Sequence, residues 1–130
     1  MNKDPIPSIL FYDQDFVDLY EHSWVWIEEF WKPGINYVSY NGQKTLNLFN
    51  CCLSTFFLNY SNLVYSPFEQ IDFFYIKQEE NGAIRTEYSL EDGRPVLRAD
   101  NPEGVSIPYL AYVEYFFFHK DGNKKRLKDI

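Results

Sequence analysis

The stretch Leu46 to Leu58 is apolar on nearly every side, interrupted only by Asn47, Asn50, Ser54 and Thr55. A helix of that character cannot sit on a surface. It has to be covered on most of its circumference by other elements. The sequence places this helix, the second of the chain, at about Thr45 to Tyr60.

The flanking segments supply the cover. From about Asp13 to Trp31 the spacing of Phe16, Leu19, Tyr20, Ser23, Trp26, Ile27 and Phe30 predicts a first helix, stopped by Pro33-Gly34. Residues 35 to 44, with Asn41-Gly42, read as a loop or short hairpin. A third helix opens at Ser66 as N-cap, with Pro67 at its first position and Glu69 completing a capping box. Its apolar stripe is Phe68, Ile71, Phe74 and Tyr75, and Asn81-Gly82 breaks it. Between Ala83 and Gly104 the period changes to alternation (Ile84, Thr86, Tyr88), with a turn at Glu91-Asp92-Gly93, which predicts one small β-hairpin. Pro108 opens a fourth helix through about His119, and Asp121-Gly122-Asn123 ends it. A fifth helix begins at Asn123. It shows only Leu127 and Ile130 of an apolar spacing before the sequence stops, so the expectation is a single domain over residues 1 to 130 that has been cut short.

Composition narrows the function. The 130 residues carry a formal net charge of −7, so a basic surface able to grip phosphates is missing and nucleic acid is an unexpected partner. The basic run Lys124-Lys125-Arg126 with Lys128 reads as a solvated helix face. No apolar stretch is long enough to span a membrane. Residues 1 to 10 hold Lys3, Asp4, Pro5 and Pro7 in place of a secretory core, which points to the cytoplasm. Adjacent Cys51 and Cys52 read as small core residues of a reducing compartment. His22 and His119 have no partners at metal or triad spacing, no phosphate-binding loop is visible, and neither a metal nor a cofactor is expected. The triplet Asn59-Tyr60-Ser61 matches a glycosylation acceptor but falls inside the apolar helix. Aromatic residues make up 20% of the chain, enough to fill a core and also to offer ring faces to sugars.

Three stretches together carry a resemblance: Leu48-Phe49-Asn50-Cys51-Cys52-Leu53-Ser54-Thr55-Phe56-Phe57, then Lys77-Gln78-Glu79-Glu80-Asn81-Gly82-Ala83-Ile84-Arg85, then Ile107-Pro108-Tyr109-Leu110-Ala111-Tyr112 running on to Gly122-Asn123-Lys124. In order and spacing they are similar to an aromatic-Trp-Asp-Thr helix start, a Gln-x-x-x-Gly-x-Ile-x-Arg turn and a Pro-x-x-Ala helix ending in Gly-Asp-Lys. Those are features of the six-hairpin glycosidases, closest to the mannosylglycerate-hydrolase and trehalase-like glycoside hydrolases. The resemblance implies a mainly α fold, an incomplete (α/α)6 toroid of helical hairpins with a small β-hairpin excursion near 83–104. It also implies inverting hydrolysis of a small α-linked sugar or glycoside, in which one carboxyl protonates the leaving oxygen and another activates water. Both catalytic carboxylates of such enzymes lie on later loops, so this stretch is expected to supply sugar-binding loops and no catalytic residue.

Carried onto this sequence, the resemblance makes Asn50, Gln78, Asn81 and Arg85 the candidate substrate contacts, with Glu79 and Glu87 as supporting carboxylates and Trp24 as a possible wall. Asn50 stands where the family carries Asp, and Phe49 where it carries Trp. An amide both donates and accepts, so Asn50 either meets a sugar hydroxyl or is satisfied by backbone inside the core. Arg85 forks either onto a carboxylate nearby, such as Glu87, or onto an acid of the substrate such as a glycerate. Trp26 belongs to the core stripe, whereas Trp24 is open to either role. The competing expectation is a non-catalytic acidic helical module that binds another protein or self-associates through an unfinished core, or an inert fragment.

Overall fold

A computed structural model describes residues 13–32, 37–38, 44–61, 65–105, 108–122 and 124–128. The chain is mainly α with a small antiparallel β component. In order it forms α1 (Gln14–Phe30), β1 (Trp31–Lys32), β2 (Tyr37–Val38), β3 (Thr45–Asn47), α2 (Leu48–Leu58), α3 (Glu69–Ile76), β4 (Glu87–Ser89), α4 (Tyr109–Asp121) and a 3-10 turn (Arg126–Lys128). Among the described residues no helix is long and apolar enough to cross a membrane.

Helix α2 is the hub that its composition demands. Leu48, Cys51, Cys52, Ser54, Thr55 and Leu58 are all buried, and α3 and α4 pack on it. It starts three residues later than the spacing predicts. Thr45–Asn47 is extended instead and pairs antiparallel with β4, Leu46 opposite Tyr88 and Asn47 opposite Glu87. Asn47 then caps α2, its Oδ1 accepting from the Asn50 backbone N–H at 3.2 Å. Helix α3 is tied to α2 by Gln70, a buried amide whose Nε2 donates to the Cys51 carbonyl at 3.0 Å and to Thr55 Oγ1 at 2.7 Å.

The capping box expected at Ser66 is not used. Helix α3 opens at Glu69, after Phe68, and that cap position carries no side-chain hydrogen bond. Residues 66 to 68 form a bend that lays the Phe68 ring 4.7 Å from Phe117 on α4. Aromatic packing there outweighs a first-turn cap. Helix α4 matches its signals, ending on Gly122 at φ +65°, whose N–H reaches the Phe118 carbonyl at 2.8 Å.

Helix α1 is capped by Asp13, which accepts from the Asp15 N–H at 3.0 Å, and its buried face is rotated from the expected one. Trp24 (1% exposed) and Ile27 are buried, while Phe16, Leu19 and Trp26 (54% exposed) face outward. The assignment of Trp26 to the core is thus corrected. Trp24 stacks 4.4 Å from Phe57 and Tyr20 lies 6.1 Å from the same ring, so this row docks α1 onto α2 and makes a small second core with Ile27, Val38 and Leu58. The stop at Pro33-Gly34 and the Asn41-Gly42 turn lie outside the described residues.

The hairpin predicted within 83–104 is present. Ser89 N–H bonds the Arg94 carbonyl at 2.8 Å and Val96 N–H the Glu87 carbonyl at 2.9 Å, around Gly93 at φ +69°. With β3 on the other side of β4, it forms an arm between α3 and α4. Beyond Gly122 the described residues form a 3-10 turn at Arg126–Lys128; residues 123, 129 and 130 of the expected fifth helix lie outside the described residues. Arg126 does not belong to a solvated face. Its guanidinium lies over the Phe68 ring, 4.4 Å from the centroid, and bonds buried Glu114 at 2.8 Å and Asp72.

Candidate functional site

The β arm does more than decorate the bundle. Leu48 N–H, at the start of α2, donates to the Thr86 carbonyl at 2.8 Å, so the arm is fastened to the N-terminal end of the central helix. Where the two meet there is an open cleft of about 410 Å³. Its α2 side is formed by Asn47, Phe49 and Asn50; its arm side by Thr86, Glu87, Val96, Arg98, Asp100 and Asn101.

Glu87 is the electrostatic centre of the cleft. Alternation along β4 sets Glu87 on the face opposite core Tyr88, toward the cleft, where its side chain is nevertheless only 5% exposed. Thr45 Oγ1 donates to its Oε1 at 2.6 Å and Arg98 Nε to its Oε2 at 2.8 Å. A buried carboxylate has to be compensated in this way. Arg98, by contrast, is 61% exposed, so Glu87 holds one edge of a guanidinium whose other donors are open to solvent.

The far wall is organised by a close return of the chain. Thr86 N–H and Oγ1 both donate to the Gly104 carbonyl, at 2.7 and 2.9 Å, and Asn101 Nδ2 donates to Thr86 Oγ1 at 3.2 Å. Gly104 has φ +62°, and a Cβ there would lie 2.9 Å from Leu97 Cδ2. On the helix side, Asn50 is half-buried and its side-chain amide makes no hydrogen bond to another described residue. Phe49 beside it is exposed, with its ring 5.0 Å from that of Tyr109. The cleft thus combines an amide that no described residue engages, a braced guanidinium, hydroxyl and carboxylate groups, and one ring.

Of the residues singled out from sequence, Asn50 and Glu87 come together here. The others do not line the cleft. Arg85 is committed to Glu79, with Nε to Oε1 at 2.7 Å and Nη2 to Oε2 at 2.8 Å, and it also donates to the Glu103 carbonyl. The fork was expected on Glu87 or on substrate; the neighbour six residues back takes it. Gln78 Nε2 donates to the Gly82 carbonyl at 3.0 Å, and Asn81 Oδ1 accepts from Ala83 N–H at 2.9 Å, around Gly82 at φ +85°. The 78–85 turn is therefore largely satisfied by its own groups. Trp24 is in the core with a face against Phe57, and its Nε1 has no partner among the described residues. Sequence reasoning missed Asn47, Thr86, Arg98, Asp100 and Asn101. For Arg98, Asp100 and Asn101 the signal was their clustering just after the hairpin, which only the pairing of β3 with β4 brings to Asn50.

The two thiols are set up for packing. Burial pushes Cys51 far above the ordinary thiol range, with Cys52 adding to it, and pushes Cys52 up to about 12, with the charge of Glu114 adding to it. Neither is a nucleophile at neutral pH. Among the described residues no group of His, Cys, Asp and Glu could hold a metal ion.

No protein-family profile matches the chain, and no solved structure matches it. It is similar to an uncharacterized protein of Borreliella burgdorferi, with 41% identity over 141 aligned positions that take in all of this chain. The chain spans 29% of the length of that relative.

Proposed function

We propose that the cleft at the N-terminal end of α2 binds a neutral sugar unit, and that the chain is the sugar-contacting part of a glycoside hydrolase for small α-linked sugars. The observation that carries this reading is the presence in one cleft of the Asn50 amide, which no described residue engages, and a guanidinium, Arg98, held from behind by buried Glu87. Sugar hydroxyls each donate and accept. A site for them needs fixed donors and acceptors at close quarters, with a ring for the apolar face of the sugar. Asn50, Arg98, Asp100 and exposed Phe49 supply that mixture. A volume of about 410 Å³ suits a small ligand.

In this reading the helices are an arc of an (α/α)6 toroid, and the cleft faces its centre, because the leading end of an inner helix is where such folds place the ligand. The resemblance puts the general acid and base on later loops, so the chain's own contribution is binding and orientation. Arg85 and Glu79 brace the turn that carries β4. A bound carboxylate such as glycerate is a poor fit to Arg85, whose fork is occupied.

The test is calorimetric titration of the 130-residue protein with glucose, trehalose, mannosylglycerate and glycerol. Binding of the neutral sugars with a Kd on the order of 1 mM, lost in Asn50→Ala and Arg98→Ala, is expected. Equal binding by wild type and both variants would overturn the assignment.

A further inference from the structure

A second concavity lies between α1 and α2 and is of the opposite character. It measures about 610 Å³ and is walled by Trp26, Ile27, Phe30, Val38, Leu53 and Phe57. Trp26 and Leu53 are about half exposed on its lips. The apolar surface continues along α1 to Leu19, which is more than half exposed and lies about two turns back from Trp26 on the same side at 100° per residue. An open apolar row of this length marks a binding surface.

Charge says what kind of surface fits it. Residues 13–31 contain no lysine or arginine, and α2 carries no charge at all. On the Trp26 side of the apolar row, helical spacing lines up Asp15, Asp18 and Glu29, all exposed. A second copy packed antiparallel on this row would lay one acidic border against another, like charges in register opposing it, and a parallel copy would offer the acidic border no cation. An anionic bilayer is disfavoured for the same reason. An apolar helix bordered by Lys or Arg satisfies both halves of the surface.

We infer that this groove seats an amphipathic helix with a basic border, supplied by polypeptide of the kind that extends beyond the matching 29% in the Borreliella burgdorferi relative. There the matching stretch is joined to the larger part of the protein, and a tethered helix reaches a groove at high effective concentration. The inference is independent of the sugar reading, which concerns the other end of α2.

The experiment uses the whole 130-residue chain, co-expressed with the remainder of that relative as a separate tagged polypeptide. A 1:1 complex is expected on gel filtration in low salt. Its affinity should drop at least tenfold in 0.5 M NaCl, following the screening of surface charge, and at least tenfold in Trp26→Glu and in Leu53→Glu. Both positions are exposed enough for the variants to fold, which circular dichroism checks. As a second measurement, a 14-residue Leu/Lys amphipathic peptide should bind wild type at least tenfold more tightly than its Leu/Glu counterpart. No complex, a complex indifferent to both substitutions, or no preference between the peptides would overturn the inference. So would self-association of the chain alone that Trp26→Glu abolishes, since the occupant would then be a second copy.

Discussion

Arg98 lies across the hairpin from Glu87, its Nη2 2.7 Å from Oε2, with the carboxylate buried and the guanidinium mostly open. The asymmetry gives the pair two jobs. Glu87 gains a cation partner inside the fold, and Arg98 gains a fixed edge for the donors it turns to the cleft.

Removing one partner is therefore unequal to removing the other. Glu87→Ala deletes the Thr45 bond as well as the pair but leaves only a solvated guanidinium, so a loss of about 1–2 kcal/mol is expected. Arg98→Ala leaves a buried carboxylate whose remaining side-chain partner among the described residues is Thr45, and about 3 kcal/mol is expected. Urea denaturation of both single variants and the double variant measures this, and equal losses in the two single variants would contradict it.

The two tryptophans of α1 give a sharper contrast. Trp24 is enclosed against Phe57, so Trp24→Ala should cost about 3–5 kcal/mol. Trp26→Ala, at an exposed lip, should change stability by about 0.5 kcal/mol or less. Thermal melts followed by circular dichroism decide it; the reverse order would mean that α1 docks on its other face.

Legibility differed between elements for a physical reason. Helix α4 was readable because Pro108 and Gly122 act on their own neighbours, and the hairpin turn because Glu91-Asp92-Gly93 closes locally. Thr45–Asn47 reads as part of α2 because its strand partner is 40 to 44 residues away, beyond the reach of periodicity. Phe16, Leu19 and Trp26 satisfy helical spacing as well as Tyr20, Trp24 and Ile27 do, and only the position of Phe57 selects between the rows. The cleft was half visible for the same reason. Asn50 and Glu87 stood out by type, but Arg98 and Asn101 reach them through pairing that no local pattern announces. Arg85 stood out equally and was taken by Glu79.

The far wall of the cleft depends on one backbone conformation. Gly104→Ala places a Cβ against Leu97 at a positive φ, and a loss of about 1–3 kcal/mol is expected. Gly122→Ala, also at positive φ but with nothing within 4 Å, should cost only about 1 kcal/mol. Matched denaturation curves of the two variants test whether close approach adds to backbone strain.

The buried thiol sets an alkaline limit. Cys52 is raised from 9.0 to about 12, by burial first and by Glu114 second. A group raised in the folded state contributes stability fully below its unfolded pKa, and that contribution is lost as pH climbs toward the folded value. The urea midpoint should accordingly be free of this contribution's loss below about pH 9 and fall between pH 9 and 12, less steeply in Cys52→Ala. A midpoint that rises over that interval would contradict the burial of the thiol.

The most direct test of the sugar cleft is a titration with trehalose followed by the side-chain amide signals of the protein in heteronuclear NMR. The account predicts saturable shifts at Asn47, Asn50 and Asn101, with those of Gln78 and Asn81 unmoved. Shifts confined to Gln78 and Asn81, or none at about 100 mM sugar, a hundredfold above the expected Kd, would contradict it.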